Sequence, residues 1–252
     1  MDKFARRVHK CNQKNIIQHV PTHRDRQTQI KIGVLIIATN KYIEFIWKLY
    51  ESIKKFFLIN HDVKVFIFTN MPEVPNGAIR IQHEHVPWPG PALYRHDCYI
   101  RNQNSFSDMD YIYSIDADML IVDTIGNEIL GNLVGTIHPC FYNKPRSQFT
   151  YENRLESQCY IGPNEGLYYF AGAFCGGSRK TFLLMAETCK KMINIDLKNG
   201  ISPVWQDESA DNRYFIDNQP DVILTPSYCH HGLIPFTKKI ITVDKDHAKM
   251  RA

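Results

Sequence analysis

The chain has 252 residues, of which 44% are hydrophobic, and a formal net charge of +4. That length can bury roughly three quarters of the unfolded surface in one core, and the mild charge, spread along the chain apart from clusters near each end, calls for no polynucleotide partner. Seven cysteines, an odd number without a Cys-x-x-Cys pair, encode neither a disulfide framework nor a zinc knuckle and point to a reducing compartment.

Residues 1–29 are polar and basic (Arg6, Arg7, His9, Lys10, Lys14, His23, Arg24, Arg26). They carry no apolar stripe long enough to pack and no signal-like run, so they read as a leader or arm. No segment of the chain approaches the roughly 18 apolar residues of a membrane span. A single domain is predicted over residues 30–252. Residues 31–39 (Lys-Ile-Gly-Val-Leu-Ile-Ile-Ala-Thr) form a continuous apolar run, the pattern of a strand buried on both faces of a parallel sheet. Asn40-Lys41 turns that strand into a helix, with Tyr42, Phe45, Ile46, Leu49, Ile53 and Phe56 at helical spacing. A second strand is predicted over 62–69, a helix over 92–103 and a third strand from Tyr111 into the carboxylates at 116 and 118. Strand and helix in alternation argue a Rossmann-like α/β fold with a mainly parallel central sheet. Ligands of such sheets collect outside the carboxyl ends of the strands, the edge where Ile37, Ala38 and Thr39 lie.

The third strand ends in Asp116-Ala117-Asp118. Residues i and i+2 of an extended chain project to one side, so the two carboxylates converge. Paired anionic oxygens suit Mg²⁺ or Mn²⁺, ions that also bind phosphate oxygens, which makes a nucleotide diphosphate the first ligand to test. Acidic residues also punctuate strand ends as ordinary turns. Residues 168–177 (Tyr-Tyr-Phe-Ala-Gly-Ala-Phe-Cys-Gly-Gly) pass from aromatic to small side chains. Small residues let a ligand ring approach the backbone, and the same pattern describes a tightly packed strand and bulge. Trp205-Gln206-Asp207-Glu208-Ser209 opens a predicted helix. Acids there cap helices and meet the helix dipole; beside a tryptophan they also supply the apolar face, hydroxyl acceptors and carboxylate that a sugar site needs.

Taken in order, Ile37-Ala38-Thr39 with Tyr42, Asp116-Ala117-Asp118, His138-Pro139-Cys140-Phe141-Tyr142, Phe149-Thr150-Tyr151-Glu152, Tyr160-Ile161, Glu165-Gly166 and Trp205-Gln206-Asp207-Glu208-Ser209 resemble glycosyltransferase family 6. This retaining family includes the blood-group A and B transferases and the α-1,3-galactosyltransferases. The resemblance runs from about Ile32 to Lys249 and implies a GT-A type catalytic domain with a mobile C-terminal tail. By resemblance, Ile37, Ala38, Thr39 and Tyr42 cradle uridine, Asp116 and Asp118 hold Mn²⁺ (or Mg²⁺) on the UDP diphosphate with Ala117 between them, and Arg95 contacts the donor. Ala171, Gly172 and Ala173 match the triplet that measures the donor sugar. His138, Thr150 and Trp205 match acceptor positions, Asp207 helps to hold the donor, and Glu208 matches the catalytic carboxylate. Lys249 aligns with a basic residue of the tail that closes over the diphosphate, with Lys245 and Arg251 as substitutes.

The resemblance implies transfer of GalNAc or galactose from UDP-GalNAc or UDP-galactose, in α-1,3 linkage, to a galactosyl or fucosylated oligosaccharide or glycolipid. Ala171, smaller than the His, Leu or Met of many animal members, leaves room for an N-acetyl group. Ala173, larger than the glycine of several GalNAc-using members, points the other way; the balance favours UDP-GalNAc. Cys140, Phe141, Gln206 and Ala210 depart from the family pattern on the acceptor side. With no anchor in the sequence, the reading is a cytoplasmic bacterial or phage-encoded enzyme, or else an excised Golgi-lumenal domain. A catalytically silent carbohydrate-binding protein of the same fold, a nucleic-acid binder using the basic arm, and a glycoside hydrolase are the competing classes. None of the three needs a diphosphate-binding metal pair.

Overall fold

A computed structural model of the chain describes residues 16–18 and 29–251. Its strands are β1 (Ile16–Gln18), β2 (Lys31–Ile37), β3 (Asp62–Thr69), β4 (Ile79–Gln82), β5 (Tyr111–Ile115), β6 (Met119–Ile121), β7 (Leu133–Ile137), β8 (Phe170–Ser178), β9 (Val222–Leu224) and β10 (Ile240–Thr242). Its α-helices are α1 (Ile46–Phe56), α2 (Gly90–Leu93), α3 (Arg95–Arg101), α4 (Arg179–Lys198), α5 (Gln206–Asp217) and α6 (His247–Arg251). Among the described residues one sheet runs in the order β1-β9-β7-β8-β5-β2-β3-β4, and β10 pairs with β6 in a second, two-stranded sheet. The arm expected over 1–29 lies outside the described residues except for Gln29 and the three residues of β1. These three, where the sequence predicted no element, pair antiparallel with β9 at the sheet edge.

The run at 31–39 is central because it is apolar throughout. β2 pairs in parallel with β3 on one side, Lys31 opposite Asp62 through Ile37 opposite Phe68, and with β5 on the other, Ile32 opposite Tyr111 through Leu35 opposite Ser114. Alternation along β2 sends Ile32, Val34 and Ile36 to one face, against Ile46, Leu49 and Ile53 of α1. Leu35 goes to the other face, with Phe66, Phe68, Tyr99 and Phe182. Each such fully buried side chain contributes about 1.5–3 kcal/mol. The predicted helix after β2 starts as a 3₁₀ turn, Asn40–Phe45, before α1. The helix predicted over 92–103 is broken into α2, α3 and a 3₁₀ turn, Gln103–Phe106.

Two features bring the chemistry-bearing segments together. The chain leaves β2 for β3 and β4 on one side and returns to β5 on the other, creating a switch point between the carboxyl ends of β2 and β5. β8 then runs antiparallel to β5, with Ile115 opposite Phe174, and the next hydrogen bond joins Asp116 N–H to the Ala173 carbonyl at 3.0 Å. The small-residue segment is thereby docked beside the acidic pair. Its glycine pair serves packing instead: a Cβ on Gly176 would come within 2.3 Å of the Tyr113 ring.

Candidate active site

A cavity of about 570 Å³ opens at this switch point. Of the residues singled out in the sequence, Ile37, Thr39, Tyr42, Arg95, Asp116, Ala117, Asp118, His138, Ala171, Gly172, Ala173, Trp205, Asp207 and Glu208 line it. Ala38 does not: it is fully buried, and its N–H donates to the Phe68 carbonyl at 2.9 Å, so it shapes the strand end from behind. Thr150 lies outside the lining, and its hydroxyl donates to Tyr169 Oη at 3.3 Å. Lys249 is exposed outside the lining as well, its carbonyl accepting from Lys41 Nζ at 2.8 Å.

The β2 end is held by a turn. Asn40 adopts φ +49°, and it pairs with Asn70 through two hydrogen bonds, Asn40 N–H to Oδ1 at 2.9 Å and Asn70 Nδ2 to Asn40 Oδ1 at 3.0 Å. Thr39 Oγ1 sits 2.9 Å from His85 Nδ1. This leaves Ile37, Thr39 and the Tyr42 ring along one wall.

Arg95, at the start of α3, ties together three parts of the site. Its Nη2 lies 2.7 Å from Asp116 Oδ1, its Nε lies 2.7 Å from Asp207 Oδ2, and its Nη1 donates to the Gly172 carbonyl at 3.2 Å. Burial alone would lower the pKa of the guanidinium, but the two carboxylates outweigh it and hold Arg95 charged. Burial pushes the Asp116 carboxyl up, with Arg95 opposing and the Asp118 charge adding to the rise. Asp207 is pushed up to about 6 by burial, assisted by Asp211 and opposed by Arg95.

Asp118 is reached from the C-terminal segment. β10 pairs antiparallel with β6, the strand that follows the acidic pair, with Thr242 opposite Met119. The ladder continues with Val243 N–H donating to the Asp118 carbonyl at 2.8 Å, and Lys245 Nζ then pairs with the Asp118 carboxylate. The same ammonium stands 4.9 Å from the centre of the Tyr42 ring. It is therefore Lys245, named in the sequence as a substitute, that the register delivers to the acidic pair.

Glu208 faces this group from the first turn of α5. Tyr169 Oη donates to Glu208 Oε1 at 2.9 Å, and Gly172 N–H donates to Oε2 at 2.9 Å. A Cβ on Gly172 would stand 3.4 Å from that of Glu208, so this close approach uses the missing side chain. Burial pushes the Glu208 carboxyl up to about 7, while its two hydrogen bonds pull the other way. Neither acid at the start of α5 caps the helix. Ser209 Oγ reaches back to accept from Trp205 N–H at 2.9 Å, and Asp207 and Glu208 face the cavity instead. Gln206, just before them, takes φ +49°, a strained position for a residue with a side chain.

His138 closes the opposite side. Burial, with His231 adding, lowers its pKa to about 4, so the ring is neutral. Its Nδ1 accepts from Cys140 N–H at 3.1 Å, which places its proton on Nε2. Sequence reasoning did not assign Tyr169, Trp88, Tyr99 or His231, of which the last three line the cavity. For Tyr169 a signal existed: it stands two residues before Ala171, the extended-chain spacing that sends both to one side.

The chain was then compared with known proteins. The family model described as glycosyltransferase family 6 matches residues 16–252. The chain is similar to histo-blood group ABO system transferase 1 of Rattus norvegicus, 34% identical over 237 residues that cover 87% of this chain and 68% of that protein. It is similar to globoside alpha-1,3-N-acetylgalactosaminyltransferase 1 of Homo sapiens, 32% identical over 253 residues covering 94% and 72%. It is also similar to the O-antigen biosynthesis glycosyltransferase WbnI of Escherichia coli, 27% identical over 195 residues covering 75% and 83%. No described helix is long and apolar enough to cross a membrane.

Proposed function

The chain belongs to glycosyltransferase family 6, and from that membership we propose that it transfers GalNAc or galactose from a UDP-sugar to a galactosyl or fucosylated glycan in α-1,3 linkage, with retention at the anomeric carbon. The observation that carries the reading is the meeting, in one cavity, of the Asp116–Asp118 pair with Lys245 on one side and of Glu208, held by Tyr169 and Gly172, on the other. Anionic leaving group and electron-deficient carbon each have a counter-charge. The name of the human relative supports an α-1,3 hexosyl transfer, and likeness to the Escherichia coli enzyme supports a bacterial-type member of the family.

Ile37, Thr39 and Tyr42 border the space assigned to uridine. The acidic pair fits a divalent ion such as Mn²⁺, or Mg²⁺: it offers hard oxygen donors from two carboxylates that line one cavity. When bound, such an ion neutralises charge on a diphosphate. Lys245 supplies a second, protein-borne cation for the leaving group. Arg95 orients Asp116 and Asp207 together, keeping the diphosphate and sugar ends of the donor in fixed relation. Ala171 leaves the donor sugar room for an N-acetyl group, and we assign UDP-GalNAc as the preferred donor. Glu208, ionised, stabilises or attacks the anomeric carbon; a covalent glycosyl-Glu208 and same-face attack by the acceptor both use this placement. Neutral His138 offers its Nε2–H to an acceptor hydroxyl, and Trp205 offers an apolar face to a sugar ring.

The test is UDP release by purified protein, with UDP-GalNAc and UDP-galactose each supplied with and without Mn²⁺ across galactosyl and fucosylated acceptors. Mn²⁺-dependent release stimulated by an acceptor is expected. Nucleotide binding without turnover of either donor would overturn the transferase reading in favour of a silent binding protein.

A further inference from the structure

Behind the cavity wall, three helices each bury one metal-binding side chain at a common point. His96 of α3, Cys189 of α4 and Asp211 of α5 bring their ligating atoms within 4.8 Å of one another, and all three are buried. The transfer reaction uses none of them. Cys189 packs in an apolar layer with Met185, Ile193, Ala210 and Phe215, while Arg95 and Asp207 of the cavity wall lie within electrostatic reach of Asp211. His96 Nε2 approaches Asp211 Oδ1 to 2.9 Å, yet neither atom makes an aligned hydrogen bond, and His96 Nδ1 has no hydrogen-bond partner. Leaving such a group unsatisfied costs about 1–3 kcal/mol, and a buried ion pair seldom repays its own desolvation.

We propose that His96, Cys189 and Asp211 form a three-donor binding site for a borderline-soft divalent cation of the zinc class. Imidazole nitrogen, thiolate sulfur and carboxylate oxygen are the donors that Zn²⁺ accepts. Bonds of about 2.0–2.3 Å in a tetrahedron separate donors by roughly 3.3–3.8 Å, and the three ligating atoms lie within 4.8 Å of one another. A neutral imidazole, one thiolate and one carboxylate cancel the charge of a dication, so the loaded centre carries no net charge. In the metal-free state burial, reinforced by Asp211, holds the Cys189 thiol protonated; loading breaks the S–H bond, forms the metal–sulfur bond and releases the proton to solvent. Two further buried thiols, Cys159 and Cys175, lie within electrostatic reach of Asp211, which makes the region soft and unlike the all-oxygen pair at 116 and 118. The consequence is positional. His96 adjoins Arg95 in α3, and Asp211 follows Asp207 by one turn of α5, so a cation joining them fixes the two helices that carry the Arg95–Asp207 ion pair.

The test expresses the full chain carrying Asp116→Asn and Asp118→Asn, which silences the oxygen pair, in zinc-free medium supplemented with cobalt(II). One cobalt per chain is expected to survive gel filtration in EDTA, with visible d–d bands and a near-ultraviolet thiolate-to-cobalt charge-transfer band. Cys189→Ser is expected to abolish that charge-transfer band. Should this variant not fold, X-ray absorption of the parent at the cobalt edge is expected to show one sulfur neighbour. A chain that emerges without cobalt, a band unchanged in Cys189→Ser, or a cobalt without a sulfur neighbour would overturn the proposal. Because the protein under test lacks both metal-binding aspartates of the cavity, the outcome is independent of the transferase reading.

Discussion

The Arg95 guanidinium stands 2.7 Å from the Asp116 carboxylate, and it also pairs with Asp207 on the other side of the site. One side chain thus couples the end of the central sheet to the first turn of α5. Replacing Arg95 with Met leaves two recessed carboxylates facing each other without a counter-charge. Unfolding in urea should show a loss of about 3–5 kcal/mol, the cost of breaking a buried pair from one side. Arg95→Lys should recover part of the stability but little of the activity, since one ammonium cannot span both carboxylates.

Lys245 lines the cavity and pairs with Asp118, whereas Lys249, four residues on, is exposed outside the lining. Lys245→Ala should lower kcat about 10²–10³-fold, the loss typical when a donor to developing transition-state charge is removed. Lys249→Ala should behave as an exposed substitution, within about 0.5 kcal/mol. Steady-state kinetics of the two variants side by side decides the matter, and a larger loss for Lys249 would reverse the assignment.

Glu208 must be ionised to meet a positive carbon, and burial has pushed its carboxyl up to about 7. The kcat/KM profile should therefore rise with pH through an acid limb near that value, and Glu208→Gln should abolish transfer with nucleotide binding retained. The stability sign follows from the same shift. A carboxyl whose pKa is raised in the folded state contributes stability below its unfolded value, and this is lost as pH climbs through about 7. At pH 8 Glu208→Gln should consequently stabilise the fold by about 1–3 kcal/mol, read as a higher Tm. An inactive variant that is less stable at pH 8 would contradict the burial argument.

Tyr169 gives Glu208 Oε1 its only side-chain hydrogen bond among the described residues. Tyr169→Phe should move the acid limb of the rate profile to higher pH, because the ionised carboxylate loses a donor. The expected cost to kcat is about 10–100-fold, from leaving one polar atom unpaired at about 1–3 kcal/mol, with donor KM nearly unchanged. A profile that stays in place would show that Tyr169 acts through packing alone.

Ala173 lines the cavity while its carbonyl anchors Asp116. Ala173→Gly removes only the methyl group and should shift the ratio of kcat/KM for UDP-GalNAc over UDP-galactose upward by about tenfold, the scale of one methyl-sized contact. Competition between the two donors in one reaction measures it directly.

Much of this architecture was legible in local pattern. The apolar runs at 31–39 and 62–69, the strand ending at Asp116 and the acid-rich start of α5 each carry their own periodicity, and backbone hydrogen bonding turns that periodicity into strands and helices wherever it occurs. The ordered motifs also named most of the cavity wall. What the linear chain leaves open is which of several equivalent groups reaches a given point. Lys245 rather than Lys249 meets Asp118 because the β6–β10 register places Val243 against Asp118, a pairing across more than a hundred residues. Asp207 and Glu208 open α5 without capping it, because Arg95, Tyr169 and Gly172, all distant in sequence, engage the two acids. The convergence of His96, Cys189 and Asp211 has no motif at all, since each comes from a different helix and only helix packing sets their separation. Local sequence determines elements through short-range sterics and periodicity; long-range register and packing decide which side chains share a site.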